Sequence, residues 1–185
     1  GARGNSGVIL SLLFRGFARG LKGLEEMDGA QFSAALNEGV DVAYKAVMRP
    51  AEGTILTVSR VCASLCAILA EENPGLEHVL SEAVGIANRA LKETTAQNPV
   101  LKKANVVDAG GMGFAVILQG MLDAVRGKDA SPDFEPDTAA KQAADFTEYT
   151  AEDITFAYCT EFIVDRGNVK ADANNLRAFL NDLGD

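Results

Sequence analysis

Apolar side chains recur at helical spacing in five stretches of the first 126 residues. From Ser6 to about Lys22, the residues Ile9, Leu12, Leu13, Phe17 and Leu21 fall on one face. Asp28 stands where an N-cap belongs, ahead of a stripe of Phe32, Leu36, Val40, Tyr44 and Val47, and Pro50 is expected to stop that helix. A third helix is predicted from about Gly53 to Glu72, with Ile55, Val58, Cys62, Leu65 and Leu69 toward the core, ended by Asn73-Pro74-Gly75. The fourth, from Leu76 to about Ala96, has the most regular pattern, carried by Leu76, Val79, Leu80, Ala83, Val84, Ala87 and Leu91. The fifth opens after Gly110-Gly111 and runs to about Arg126. It is apolar nearly all round, through Met112, Phe114, Val116, Ile117, Leu118, Met121, Leu122 and Val125, which predicts the central and most buried helix. Five helices joined by short loops predict a mainly α fold, an amphipathic helical bundle or barrel over residues 1–126.

The pattern then changes. Gly127, Pro132, Pro136 and a run of acids predict a linker over residues 127–153, with at most one helical turn near residues 139–144. Ile154, Phe156, Tyr158, Thr160, Phe162 and Val164 alternate with their neighbours, which predicts a strand. Arg166-Gly167-Asn168 turns the chain, and a short helix with Leu176, Phe179, Leu180 and Leu183 follows. One strand and one helix cannot satisfy a sheet. Residues 154–185 therefore read as a short β-α fragment that begins an incomplete second domain, or that pairs its strand with a neighbouring copy in a homodimer.

Charge sharpens this division. The formal net charge is −9, but residues 1–127 carry 13 acids against 12 bases, whereas residues 128–153 carry 8 against 2. The acidity belongs to the linker, and the balance argues against nucleic acid as a partner. The apolar stretches are interrupted by Arg15, Arg19 and Lys22 or by Arg60 and Glu71, so an integral membrane protein is not expected. The chain opens on a glycine-rich stretch rather than a secretory leader, and Cys62, Cys66 and Cys159 show no disulfide framework; a cytoplasmic location is expected.

Three glycine-bearing stretches at helix starts hold the candidate chemistry. Gly1-Ala2-Arg3-Gly4-Asn5-Ser6-Gly7 precedes the first helix, where backbone N–H groups and a positive helix end suit a phosphate; a tight turn is the plainer alternative. Asp108-Ala109-Gly110-Gly111-Met112-Gly113 opens the fifth helix; Asp108 is read as its cap, or its glycines let a ribose or adenine ring approach the backbone closely. Glu52-Gly53-Thr54 opens the third, with Thr54 as a cap or as a pocket residue. No phosphate loop of the Gly-Lys-Ser/Thr type occurs, because Gly127-Lys128 is followed by Asp129. His78, Cys62 and Cys66 read as surface and core residues, and Cys159 as buried or as a metal ligand with distant partners.

The strings GARGNSGVIL, AVMRPAEGTILTV and VLKKANVVDAGGMGF, in this order and spacing, resemble the nucleotide-binding domain of bacterial fatty acid kinase catalytic subunits. That domain belongs with the DhaL-type ATP-binding subunits of dihydroxyacetone kinases. YCTEFIV with LRAFLNDLGD resembles the start of the same proteins' middle domain. The resemblance implies a closed helical barrel binding ATP and magnesium, and phosphorylation of a fatty acid carboxylate presented by a DegV-type binding protein. It implies phosphate contacts at Ala2, Arg3, Gly4, Asn5 and Ser6, a nucleotide border at Gly53, Thr54 and Ile55, and sugar and base contacts at Asp108, Ala109 and Gly110.

One departure matters. The family holds magnesium with aspartates in a segment like Pro-Asp-Gly-Asp-Thr-Gly ahead of the first glycine stretch, and these 185 residues contain none. The expectation is a chain truncated at its N-terminus, lacking the first barrel helices, with apolar surface exposed and no activity by itself. Two rival readings remain: a dihydroxyacetone kinase subunit acting on a triose, and a nucleotide-free helical adaptor.

Overall fold

The computed structural model describes residue 2, residues 4–128 and residues 172–183. Two compact units, Gly1–Asp145 and Phe146–Asp185, are taken separately. The first contains α1 (Gly4–Gly20), α2 (Gly29–Ala46), α3 (Ile55–Glu72), α4 (Leu76–Gln97), α5 (Pro99–Ala104) and α6 (Ala109–Val125). The predicted helical bundle forms, and no strand occurs among the described residues. The strand expected over residues 154–164, most of the linker and Cys159 lie outside those residues. In the second unit α7 (Ala173–Asn181) forms as predicted, begun by Asp172, whose Oδ1 accepts from the Asn174 N–H at 2.9 Å.

Local chemistry starts each helix. Asp28 and Gln31 cap α2 reciprocally: Asp28 Oδ1 accepts from Gln31 N–H at 2.8 Å, and Gln31 Oε1 accepts from Asp28 N–H at 3.0 Å. The helix ends at Ala46, earlier than Pro50 requires, with Val47 already extended. The expected five helices omit α5. Asn98 starts it by accepting from Val100 N–H at 3.0 Å, with Pro99 at its first position, and Asn105 ends it in the left-handed region at φ 51°. Six residues are too few for hydrophobic periodicity to register.

The expectation that the fifth predicted helix is the most buried is wrong. That helix is α6, which leaves Val125 exposed and Met112, Val116, Ile117 and Met121 half-buried. The central helix is α3, packed against α2, α4 and α6, with Ile55, Leu56, Thr57, Val58 and Ser59 buried in succession. Its later buried face runs through Cys62, Ala63, Cys66 and Ala70, while Leu65, expected inside, is 41% exposed. Small side chains on the inner face let α2 and α4 come close, and the larger ones turn outward. A side chain's size alone does not decide which face is inside; the neighbours' approach does.

The α1–α2 pair is the tightest contact. The helices run antiparallel and their backbones touch through glycine: a Cβ on Gly39 would lie 2.5 Å from the Leu13 carbonyl oxygen, and one on Gly16 2.5 Å from that of Glu38. Arg19 and Glu38 form an ion pair across the same seam. Where α1, α2 and α6 meet, Leu13, Phe17, Phe32, Leu36, Phe114 and Met121 line an apolar crevice of about 20 Å³, room for roughly one water. Phe17 and Phe32 meet there edge to face at 5.6 Å. The crevice is a packing seam and too small for a ligand.

These contacts predict opposite effects for two glycine substitutions. Gly39→Ala forces α1 from α2 and should cost about 1–3 kcal/mol. Gly120→Ala, on α6 with nothing within 4 Å of the added Cβ, should stabilise by roughly 0.5–1 kcal/mol. Urea denaturation followed by circular dichroism measures both; a Gly39→Ala midpoint equal to that of the parent chain would remove the close-approach argument.

Candidate functional site

Three helix starts meet at one end of the bundle. A cleft of about 570 Å³ is lined by Asn5, Ser6, Val8 and Ile9 from α1, by Thr54, Ile55 and Leu56 from α3, and by Asp108 ahead of α6. The connector between α2 and α3 completes it with Val47, Met48, Arg49 and Ala51. The volume lies in the range of sites that hold a nucleotide-sized molecule. None of the first turns of α1, α3 and α6 carries an acidic residue. The Asp108 carboxylate at α6 and the Glu52 carboxylate, bonded to Thr57 at the start of α3, offset part of this positive charge, and an anion in the cleft would gain from what remains.

The three motifs read from the sequence are brought together, though in different roles. The glycine-rich start is mostly helix: α1 begins at Gly4, with Gly4 at φ 70° and Asn5 and Ser6 in its first turn, two residues earlier than periodicity indicates. Asn5, Ser6, Thr54, Ile55 and Asp108 line the cleft. Ala2, Gly4, Gly53, Ala109 and Gly110 do not, and Arg3 lies outside the described residues. Gly110 matters by absence of a side chain, because a Cβ there would lie 2.8 Å from Ser6 Oγ. It lets the start of α6 close onto the start of α1.

Gly53 is required for a packing reason. Its φ is 72°, and a Cβ would lie 2.9 Å from both the Thr94 carbonyl oxygen and the Asn98 nitrogen. Hydrogen bonds then fix this turn. Gly53 N–H donates to Thr57 Oγ1 at 2.9 Å, and Thr57 Oγ1 donates to Glu52 Oε2 at 2.8 Å. Arg60 Nη2 donates to the same Glu52 oxygen at 2.8 Å, and Arg60 Nε donates to Tyr44 Oη at 2.9 Å. The bond to Tyr44, aided by the charge of Glu52, holds the Arg60 guanidinium above its ordinary pKa. Glu52 is thus a structural carboxylate tying the connector to α3. Thr54 caps α3, its Oγ1 accepting from Leu56 N–H at 3.3 Å and donating to the Ala51 carbonyl at 2.9 Å.

Asp108 is the cap of α6, as its position predicts. Its Oδ2 accepts from Gly111 N–H at 2.7 Å, and its own N–H donates to Thr94 Oγ1 at 3.0 Å. It is the one carboxylate lining the cleft among the described residues. Elsewhere among those residues, no three of His, Cys, Asp and Glu gather where they could share a metal ion. Cys62 and Cys66 are core residues, with their sulfurs 4.0 Å apart; the bond between the thiols and then burial push Cys62 far above the ordinary thiol range, so it is no nucleophile. His78 is exposed. Arg49 and Met48 are cleft residues that sequence reading passed over. Both lie inside the quoted string AVMRPAEGTILTV, but neither belongs to a periodic stripe or a glycine turn.

Residues 1–123 match the family model of the DAK2 domain. An uncharacterized protein of Staphylococcus saprophyticus is 41% identical over 191 residues, and the protein YloV of Bacillus subtilis 39% identical over 193. An uncharacterized protein of Staphylococcus aureus is 37% identical over 191 residues. Each alignment takes in the whole chain and 35% of the relative, so the chain spans about a third of the length of these curated relatives.

Asp108→Ala, which removes the cap of α6, should cost about 1 kcal/mol of stability, whereas Asp108→Asn keeps a capping oxygen and should cost a few tenths at most. Urea midpoints for the two variants test this; equal losses would mean that charge rather than capping governs the position.

Proposed function

Because the chain belongs to the DAK2 domain family, a family of nucleotide-binding kinase-type domains, we propose that its cleft of converging helix starts holds the phosphates of ATP. The protein is then the nucleotide-binding part of a phosphotransferase whose acceptor is the carboxylate of a fatty acid held by a DegV-type binding protein. The observation that carries the reading is convergence: stretches some 50 residues apart in sequence supply Asn5 and Ser6, Thr54 and Ile55, and Asp108 to one cleft.

The chemistry asked of these residues is positioning and charge compensation. Phosphoryl transfer spreads charge over the phosphate oxygens, and little covalent work falls to the protein. Backbone N–H groups at the starts of α1 and α3 would donate to those oxygens, with Asn5 and Ser6 adding side-chain donors. Arg49, on the connector beside Thr54, would neutralise part of the phosphate charge. The apolar side chains Val8, Ile9, Val47 and Met48 give the same cleft a wall suited to the flat face of a base.

Magnesium, when bound, would supply charge neutralisation at the phosphates. Asp108 is spent on capping and is a single carboxylate, so it does not make a magnesium site with the described residues. The family resemblance assigns the aspartates that hold the metal to other parts of the full-length protein, and on that reading this chain by itself is inactive. A triose acceptor would use the same cleft, and the acceptor assay separates the two readings.

The test is titration calorimetry of ATP into the full-length protein and into this chain, with and without magnesium, followed by phosphate transfer to a fatty acid loaded on a DegV-type protein or to dihydroxyacetone. Tight, magnesium-dependent binding by the full-length protein alone, and transfer to the fatty acid, is the expected result. Arg49→Ala should weaken ATP binding roughly three- to tenfold, the modest effect of an exposed cation on a phosphate. No binding by either form would leave the helix starts as structural turns and favour the adaptor.

A further inference from the structure

The last turn of α4 carries two adjacent threonines, Thr94 and Thr95, in a helix whose other buried residues are Val79, Leu80, Ala83, Ile86, Ala87, Ala90 and Leu91. Threonine is a mediocre helix former, and a hydroxyl on a buried apolar face must find partners. Thr94 is fully buried. Its Oγ1 donates to the Leu91 carbonyl at 2.6 Å and accepts from Asp108 N–H at 3.0 Å. Thr95 Oγ1 donates to the Val106 carbonyl at 2.8 Å. Two neighbouring hydroxyls therefore pin the segment Val106–Asp108, the piece of chain that delivers Asp108 to the cleft.

The same turn of α4 supports the other side of the cleft. The Thr94 carbonyl accepts from Asn98 N–H at 3.0 Å. Gly53 is pressed against these two groups, with its missing Cβ only 2.9 Å from each. The Gly53–Thr54 turn and the Asp108–Gly110 start thus rest on one residue, although they lie 55 positions apart in sequence. Neither threonine lines the cleft.

We propose that Thr94 is a positioning residue for the nucleotide cleft, setting the spacing between the starts of α3 and α6 through its hydroxyl and its carbonyl, with Thr95 as a second brace. This rests on the ATP reading given above. Donor groups aimed at phosphate oxygens lose much of their effect when displaced by a fraction of an ångström, and a buried brace with two bonds is suited to prevent that.

The experiment compares Thr94→Val, which keeps the shape and removes the hydroxyl, with Thr94→Ser, which keeps the hydroxyl, in the full-length protein. ATP affinity with magnesium is measured by calorimetry, and amide hydrogen exchange is followed over residues 106–113 and 52–56. Thr94→Val should weaken ATP binding by fivefold or more and speed exchange in both segments, with Thr94→Ser within twofold of the parent on each. If the folded Thr94→Val protein binds ATP like the parent, the threonine is only a core residue and the proposal fails. Equal losses in the Ser and Val variants would overturn it too, since the hydroxyl would then be irrelevant. Should Thr94→Val not fold, Thr95→Val, at a half-buried site, must weaken ATP binding at least twofold for the proposal to stand. A parent protein that takes up no ATP at all sinks the nucleotide reading itself, and the positioning role with it.

Discussion

The burial of the first turn and a half of α3 is the constraint on which the rest of the structure depends. Ile55, Leu56, Thr57, Val58 and Ser59 are enclosed in succession, so this end of the helix has no solvent face and no freedom to shift. Burying Ile55, Leu56 and Val58 contributes about 1.5–3 kcal/mol each, which anchors the helix start inside the bundle. Thr54 and the Gly53 turn are carried to a fixed place as a result. A cleft formed by helix ends needs such an anchor, because helix ends fray when they stand free.

Polar residues around that anchor act as spacers rather than as chemistry. Glu52, Thr57, Arg60 and Tyr44 form one chain of hydrogen bonds across α2, the connector and α3. Thr94 and Thr95 do the same between α4 and the approach to α6. Each satisfies groups that would be costly to leave unpaired. Their common effect is to hold three helix starts around one space. The bundle is thereby tightly packed where α1, α2 and α6 meet, with room for about one water, and open at one end, where polar groups stand among apolar walls.

The sequence was most legible where a physical rule acts locally. The capping of α2 by Asp28 and of α6 by Asp108 could be read directly, because a cap needs only its own first turn. The buried face of α4 was equally clear, since one regular stripe met one continuous neighbour surface. Reading failed where packing chose between residues of similar character. Leu65, expected inside, is outside, beside the correctly read Cys66, because α2 and α4 approach α3 over small side chains. The mainly apolar α6 is only partly buried because burial depends on which helices surround an element and not on its own composition.

The helical class, most helix limits, the three motifs at helix starts and, through family resemblance, the nucleotide reading were legible in the order of residues alone. Those properties follow from short-range spacing and from strings of adjacent residues. Packing added that Gly53 answers to Thr94 and Asn98, that Gly110 makes room for Ser6, that Glu52 is a tie and that Arg49 joins the cleft. Apart from Glu52, whose partners Thr57 and Arg60 stand five and eight residues on, these facts concern groups tens to about a hundred residues apart, brought together by the close approach of helices. No local pattern encodes a distance of that kind.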